Sequence, residues 1–215
     1  MSDPCAPTQS SSAPRSASVP HRDHEGAKIG MWLFLFTELL LFGGLFLVYA
    51  AYRARYPGEF HSCGQELHYV IGVANTAVLL TSSLTMAISI TATQLGQKKR
   101  SMLFLACTMV LGCVFLVNKY IEWSGEIGHG IYPSSPELLK RPHGEILFYG
   151  LYYTMTGLHG LHVIAGLVVL GFMLAFLRRG AIHQGDHVKL ENAGLYWHLV
   201  DVIWIFLLPL FYLAA

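Results

Sequence analysis

The chain has 215 residues, 53% of them hydrophobic and only 13% charged, about half the charged share of roughly 25% found in soluble domains. Mean hydropathy is +0.47, which excludes an ordinary soluble domain and points to a membrane protein. The net charge of +1 identifies no partner and gives no reason to expect nucleic acid.

Residues 1 to 27 are rich in Ser, Ala and Pro and lack the apolar core of about 7–15 residues that a signal peptide needs. They read as a disordered cytoplasmic tail. Cys5 follows no apolar stretch, so a lipoprotein signal is not expected. Residues 28 to 215 form one membrane domain. Its apolar segments, about 29–49, 69–93, 102–123, 146–177 and 193–213, each reach the roughly 20 residues that carry a helix across a bilayer. The fold class is all-α, a polytopic bundle of five transmembrane helices.

The first segment carries Glu38 in LFTELLLFGG, with no basic residue within a helical turn. A carboxylate there must protonate, find a partner on another helix, or meet lipid. The second segment is followed by QLGQKKR, a short basic loop that makes the second and third segments antiparallel neighbours. In the third, Cys107 and Cys113 read as packing residues, since the four cysteines show no metal-type spacing. Lys119 and Glu122, three apart at its end, read as a salt bridge at the membrane interface. The loop from Ser124 to Glu145 holds Pro133, Pro136 and Pro142 and is not one continuous helix.

The fourth segment contains TGLHGLHVIAG, with His159 and His162 in an otherwise apolar run. Buried histidine is costly without a partner. The fifth contains ENAGLYWHLVDVIW, where Trp197, His198 and Asp201 follow Glu191. His198 and Asp201 are three apart, so they are expected to hydrogen-bond along one face. With Glu38, His159 and His162 they are candidates to converge in one interior. Small residues (Gly43, Gly44, Ser82, Ser83, Gly157, Gly160, Gly166) read as close-approach positions between helices.

Basic residues divide unevenly. The tail (Arg15, Arg22, Lys28) and the second and fourth loops (Lys98, Lys99, Arg100; Arg178, Arg179, Lys189) share one side and hold nine of them. The first and third loops (Arg53, Arg55; Lys140, Arg141) hold four. The positive-inside rule places the N-terminus in the cytoplasm and the C-terminus outside.

Two imidazoles side by side, with His198 as a third, suggest a metal site. Haem iron, however, takes axial ligands from opposite faces of the porphyrin, usually from facing helices. Two neighbours on one helix fit this poorly, and no nucleotide or hydrolase motif is present. We expect no catalytic residue and no metal ligand in this chain.

Taken in order, GMWLFLFTELLLFGGLF, NTAVLLTSSLTMA, Lys119-Tyr-x-Glu122, TGLHGLHVIAG and YWHLVDVIWIFLLPLFY resemble subunit III of the haem-copper oxidases, from about Lys28 to Tyr212. The longer members have seven helices, and this chain is similar to the shorter bacterial form that lacks the first two. That resemblance implies the cytoplasmic (inner) membrane of a bacterium, with the C-terminus in the periplasm. The resemblance implies a non-catalytic subunit of a cytochrome c or quinol oxidase, part of a respiratory, proton-translocating chain. It implies direct packing on subunit I, with subunit II nearby and haem and copper held by those partners. It also implies bound structural phospholipid and support of proton uptake by subunit I. Glu38, His159, His162, Trp197, His198 and Asp201 fall on the family's interior polar or lipid-contacting positions. A sister branch, small proteins that accompany nitric oxide reductases, suits the length and the Lys119–Glu122 element as well. Two further classes stand beside these, a redox carrier built on His159, His162 and His198, and a proton channel built on Glu38, His159, His198 and Asp201.

Overall fold

The computed structural model describes residues 24–67 and 69–213, and among them five long α-helices, one short α-helix and a 3-10 turn at Leu138–Lys140 occur. In chain order the α-helices are α1 (His24–Arg55), α2 (Pro57–Glu66), α3 (Tyr69–Gln94), α4 (Lys98–Gly128), α5 (His143–Arg179) and α6 (Val188–Leu208). All but α2 are long and apolar enough to cross a membrane. No named strand occurs among the described residues. With five crossings the two ends of the chain lie on opposite sides, here called the N-terminal and C-terminal sides.

The helices outrun the apolar stretches read from the sequence. α5 has 37 residues, about 55 Å at about 1.5 Å per residue, against a hydrocarbon core of about 30 Å. Polar first and last turns carry it beyond the membrane, and hydropathy marks only the apolar middle. α1 already begins at His24, so the last residues assigned to a disordered tail are helical. The rest of that tail lies outside the described residues.

α2 went unread because it has no spanning length. Phe60, Cys63 and Leu67, spaced at roughly one and two turns, are all buried. Phe60 stacks edge-on against Tyr49 of α1 and Phe148 of α5, at 5.4 Å from each. Pro57 starts the helix, where the missing N–H costs nothing.

Two turns on the N-terminal side close in the same way. Gly96 and Gly180 both have positive φ, and the next amide reaches back to the last helical turn, Gln97 to Ala92 at 2.8 Å and Ala181 to Phe176 at 3.0 Å. The first of these makes α3 and α4 a tight antiparallel pair. Hydroxyls line their contact, with Ser89 donating to the Ser101 carbonyl at 2.9 Å, Thr93 bonded to Ser101 at 2.6 Å and Thr85 to Thr108 at 2.8 Å.

α6 is the central helix, packed on α1, α3 and α5. Half of its spanning window is buried, against 11% for α1. Trp197 shows why. Its ring fills notches at Gly112 of α4 and Gly166 of α5, where an added Cβ would sit 2.8 and 2.9 Å away. Its indole nitrogen donates to Ser82 of α3 at 3.0 Å. One side chain thus joins α6 to three neighbours. Pro209 then ends the regular α6 pattern, and Pro209–Leu213 form a wider π turn.

Candidate functional site

The polar interior falls into separate arrangements rather than the single convergence read from the sequence. At the C-terminal side, Lys119 and Glu122 of α4 pair at 3.1 Å with almost no exposure. The salt bridge read from the sequence forms, and it is buried inside the bundle. Lys119 donates also to Tyr152 of α5 at 3.0 Å and to Tyr212, past α6, at 2.7 Å. Glu122 Oε1 accepts from Tyr152 at 2.5 Å and, by a short bond, from Tyr212. The ammonium lies 4.7 Å from the Tyr152 ring centre and 5.3 Å from that of Trp204, close enough for cation–π attraction. All three of its hydrogens have acceptors. The tyrosines were missed from sequence. Tyr152 precedes His159 by two helical turns, and that face periodicity is the signal that could have found it.

Nearer the middle of the membrane, Glu38 of α1 meets His162 of α5, Oε2 to Nε2, at 2.8 Å. His162 Nδ1 lies 2.8 Å from the Leu158 carbonyl. A carbonyl only accepts, so Nδ1 carries a hydrogen. One proton must then lie between Nε2 and Oε2, either as carboxyl on neutral imidazole or as carboxylate on imidazolium. In both forms the pair is neutral, which resolves how a lone glutamate survives on a helix that is mostly exposed. Phe42 packs edge-on against the imidazole at 5.3 Å. Tyr196 donates to the His162 carbonyl at 3.1 Å.

His159 points elsewhere. It is fully buried against Phe115 of α4 and Trp204 of α6, with ring centres 5.5 and 5.2 Å away. Among the described residues neither ring nitrogen has a hydrogen-bond partner. The two histidines of the HxxH element are therefore not a matched pair, since one joins α1 and the other is enclosed by aromatic rings.

The expected bond between His198 and Asp201 does not form. His198 Nδ1 bonds instead to Ser83 of α3 at 2.6 Å. Ser83 comes from the neighbouring helix and reaches the ring more directly than a carboxylate on the same helix. Asp201 lies beside Ser83 too, yet both of its buried oxygens lack a hydrogen bond of good geometry.

Three other expectations change. Gly43, Gly44 and Gly160 have no heavy atom within 4 Å of an added Cβ, so they are not close-approach positions. Gly157 faces only the Trp123 ring, at 3.1 Å. The close approaches are at Gly166, as read, and at Gly72, Gly112, Gly144 and Gly194, which were not singled out. Cys107 and Cys113 are exposed on the outer face of α4 rather than packed. Cys63 is the buried thiol. Burial, reinforced by the charges of Glu145 and Glu66, pushes it up to about 12 and leaves it unreactive at neutral pH.

Glu66 anchors the C-terminal surface. It accepts from Arg141 at 3.2 Å and from Tyr149 at 2.8 Å, while Arg141 also holds Glu145 at 3.1 Å. At the N-terminal side, Glu191 of α6 gathers Lys28 of α1 at 3.1 Å and Gln94 of α3 at 3.0 Å. Among the described residues no group of three or more His, Cys, Asp or Glu side chains is arranged to hold a metal ion.

Comparison with known proteins gives this arrangement a context. A family model described as "Cytochrome c oxidase subunit III" matches residues 17–215. Cytochrome c oxidase subunit 3 of Thermostichus vulcanus is 31% identical over 199 residues, covering 91% of this chain and 90% of that protein. Cytochrome bo(3) ubiquinol oxidase subunit 3 of Pseudomonas aeruginosa is 29% identical over 189 residues, covering 86% and 84%. A probable quinol oxidase subunit 3 of Staphylococcus aureus is 29% identical over 202 residues, covering 92% and 94%.

Proposed function

From the premise that the chain belongs to the cytochrome c oxidase subunit III family, we propose that it is a non-catalytic membrane subunit of a respiratory haem-copper oxidase. In this reading it packs against the catalytic subunit I, with subunit II close by, and those partners hold the haem and copper. It retains structural phospholipid and supports proton uptake by subunit I while electrons pass to oxygen. Its N-terminus faces the cytoplasm and its C-terminus the periplasm, on the uneven basic loops.

The observation that carries this reading is the family match, which extends over residues 17–215, in a chain that covers 84% or more of each relative. All three relatives are oxidase subunits by name, which favours an oxidase over a nitric oxide reductase assembly. The polar interior supports a scaffold role. Glu38–His162 and Lys119–Glu122 meet as neutral units inside the bundle.

The test is purification of the oxidase with and without this chain. The chain should co-purify with a haem-containing core. Its removal should leave that core's visible spectrum unchanged and lower the rate or lifetime of oxygen reduction. Complete loss of oxygen reduction by a core with an intact spectrum would show that the chain carries an essential step, and the reading would fail.

A further inference from the structure

We propose that the hairpin of α3 and α4 holds an anionic phospholipid at its N-terminal-side end, away from the polar interior. An apolar groove of about 600 Å³ runs along the outer seam of the two helices. Ala87, Thr91 and Leu95 form one wall, Leu103 and Phe104 the other, and Arg100 stands at its mouth. From Ala87 to Leu95 the groove is about 12 Å long, at about 1.5 Å per residue, which suits the upper part of an acyl chain. The Thr91 hydroxyl is turned to its own helix, donating to Ala87 at 3.0 Å, so the wall presents no free donor. The hydroxyl contacts between α3 and α4 beneath it fix the floor.

The mouth is cationic and uncompensated. Lys99 and Arg100 are both exposed, and no carboxylate among the described residues forms a salt bridge with either. Among the described residues Arg100 donates only to Gln97, at 3.0 Å. Lys98 turns away to the Arg178 carbonyl at 2.9 Å. Two unpaired cations above an apolar slot at the membrane boundary match a phosphate with an acyl chain below it. The complementary charge selects an anionic headgroup over a zwitterionic one. This inference deepens the lipid-retaining part of the proposed function and names its site.

The experiment uses the full chain in its oxidase complex. The complex is reconstituted into phosphatidylcholine membranes with and without phosphatidylglycerol, and retained lipid is counted by native mass spectrometry. Lys99→Gln with Arg100→Gln should weaken phosphatidylglycerol retention roughly thirty-fold, taking each cation as about one log unit or slightly less. Phosphatidylcholine counts should stay the same. Thr91→Trp, which fills the groove and leaves both charges, should cause a similar loss. Co-purification with the core and unchanged helical circular dichroism show that each variant is folded. Unchanged phosphatidylglycerol counts in both variants overturn the proposal. Competition by soluble glycerol phosphate as effective as by the lipid also overturns it, because the site then recognises phosphate alone. Loss of the oxidase core with lipid counts unaltered assigns the face to a subunit contact and overturns it too. If the wild-type chain binds no oxidase core, the proposed function fails, while lipid counts on the isolated full chain still decide this inference.

Discussion

Two parts of the interior deal with buried polarity in opposite ways. At the C-terminal side, Lys119, Glu122, Tyr152 and Tyr212 form a cluster in which the lone ammonium has three acceptors and a carboxylate oxygen has three donors. Toward the middle, Glu38, His159, His162 and His198 form no such cluster. Glu38 has His162, His198 has Ser83, and His159 has only aromatic rings. In a connected cluster one change disturbs every other member. A set of isolated pairs fails one pair at a time. The difference separates a structural rivet from positions whose polarity serves a local contact.

The largest effect should come from breaking the rivet. Lys119→Met leaves Glu122 as an uncompensated buried carboxylate, which costs about 3–5 kcal/mol. Adding Glu122→Gln removes that charge and should restore much of the loss. Thermal unfolding of the detergent-purified variants checks this. Equal damage from the single and double variants would mean that the cluster is no more tightly coupled than the middle pairs.

Next in size are the notches for Trp197. Gly166→Ala places a methyl group 2.9 Å from the ring, and Gly112→Ala places one 2.8 Å from it. Each should cost about 1–3 kcal/mol through overpacking. Gly160→Ala, in the same HxxH element, meets nothing within 4 Å. It should be neutral or stabilising by up to about 1 kcal/mol through helix propensity. Measured together, the three separate close approach from mere smallness. Similar losses at Gly160 and Gly166 would refute that separation.

The middle pairs come third. Glu38→Leu removes the partner of His162 Nε2 and should cost about 1–3 kcal/mol. Glu38→Gln should cost under about 1 kcal/mol, because its amide still donates to that nitrogen. Hydrogen exchange at α1 and α5, with unfolding curves, distinguishes the two. A Gln variant as damaged as the Leu variant would mean that the carboxylate–imidazolium form, rather than the neutral one, holds the helices together.

The five spans were legible because hydropathy and length report directly on a bilayer. The interior was legible only as a set of residue types. Glu38, His159, His162 and His198 each stand out as polar letters in an apolar run, but which helix each one meets depends on rotation and on neighbours many residues away. Glu38 and His162 are 124 positions apart, and His198 and Ser83 are 115 apart. The i, i+3 spacing of His198 and Asp201 suggested a local bond, and a hydroxyl from α3 took its place. The same spacing in Lys119 and Glu122 gave a real contact, yet its burial rests on Tyr152 and Tyr212, which lie 30 and 90 positions from Glu122. α2 was invisible for a different reason. Its stripe of Phe60, Cys63 and Leu67 is too short to stand out from a loop until the aromatic wall of Tyr49 and Phe148 is in place.

The smallest expected effect tests the geometry most sharply. Ser83→Ala removes the partner of His198 Nδ1 and should cost about 1 kcal/mol, the net worth of one such bond. Asp201→Leu, by contrast, replaces a carboxyl whose oxygens make no hydrogen bond of good geometry with an apolar side chain of similar size. Removing an unpaired buried polar group is neutral or stabilising when the replacement packs well. The two variants should therefore move thermal stability in opposite directions, although both positions lie at the same contact of α3 with α6. If Asp201→Leu proves the more damaging, the carboxyl rather than Ser83 positions His198. The local pairing expected from the i, i+3 spacing would then hold after all. If Ser83→Ala is the more damaging, His198 serves to tie α6 to α3, and it belongs with Trp197 among the contacts that make α6 the centre of the bundle.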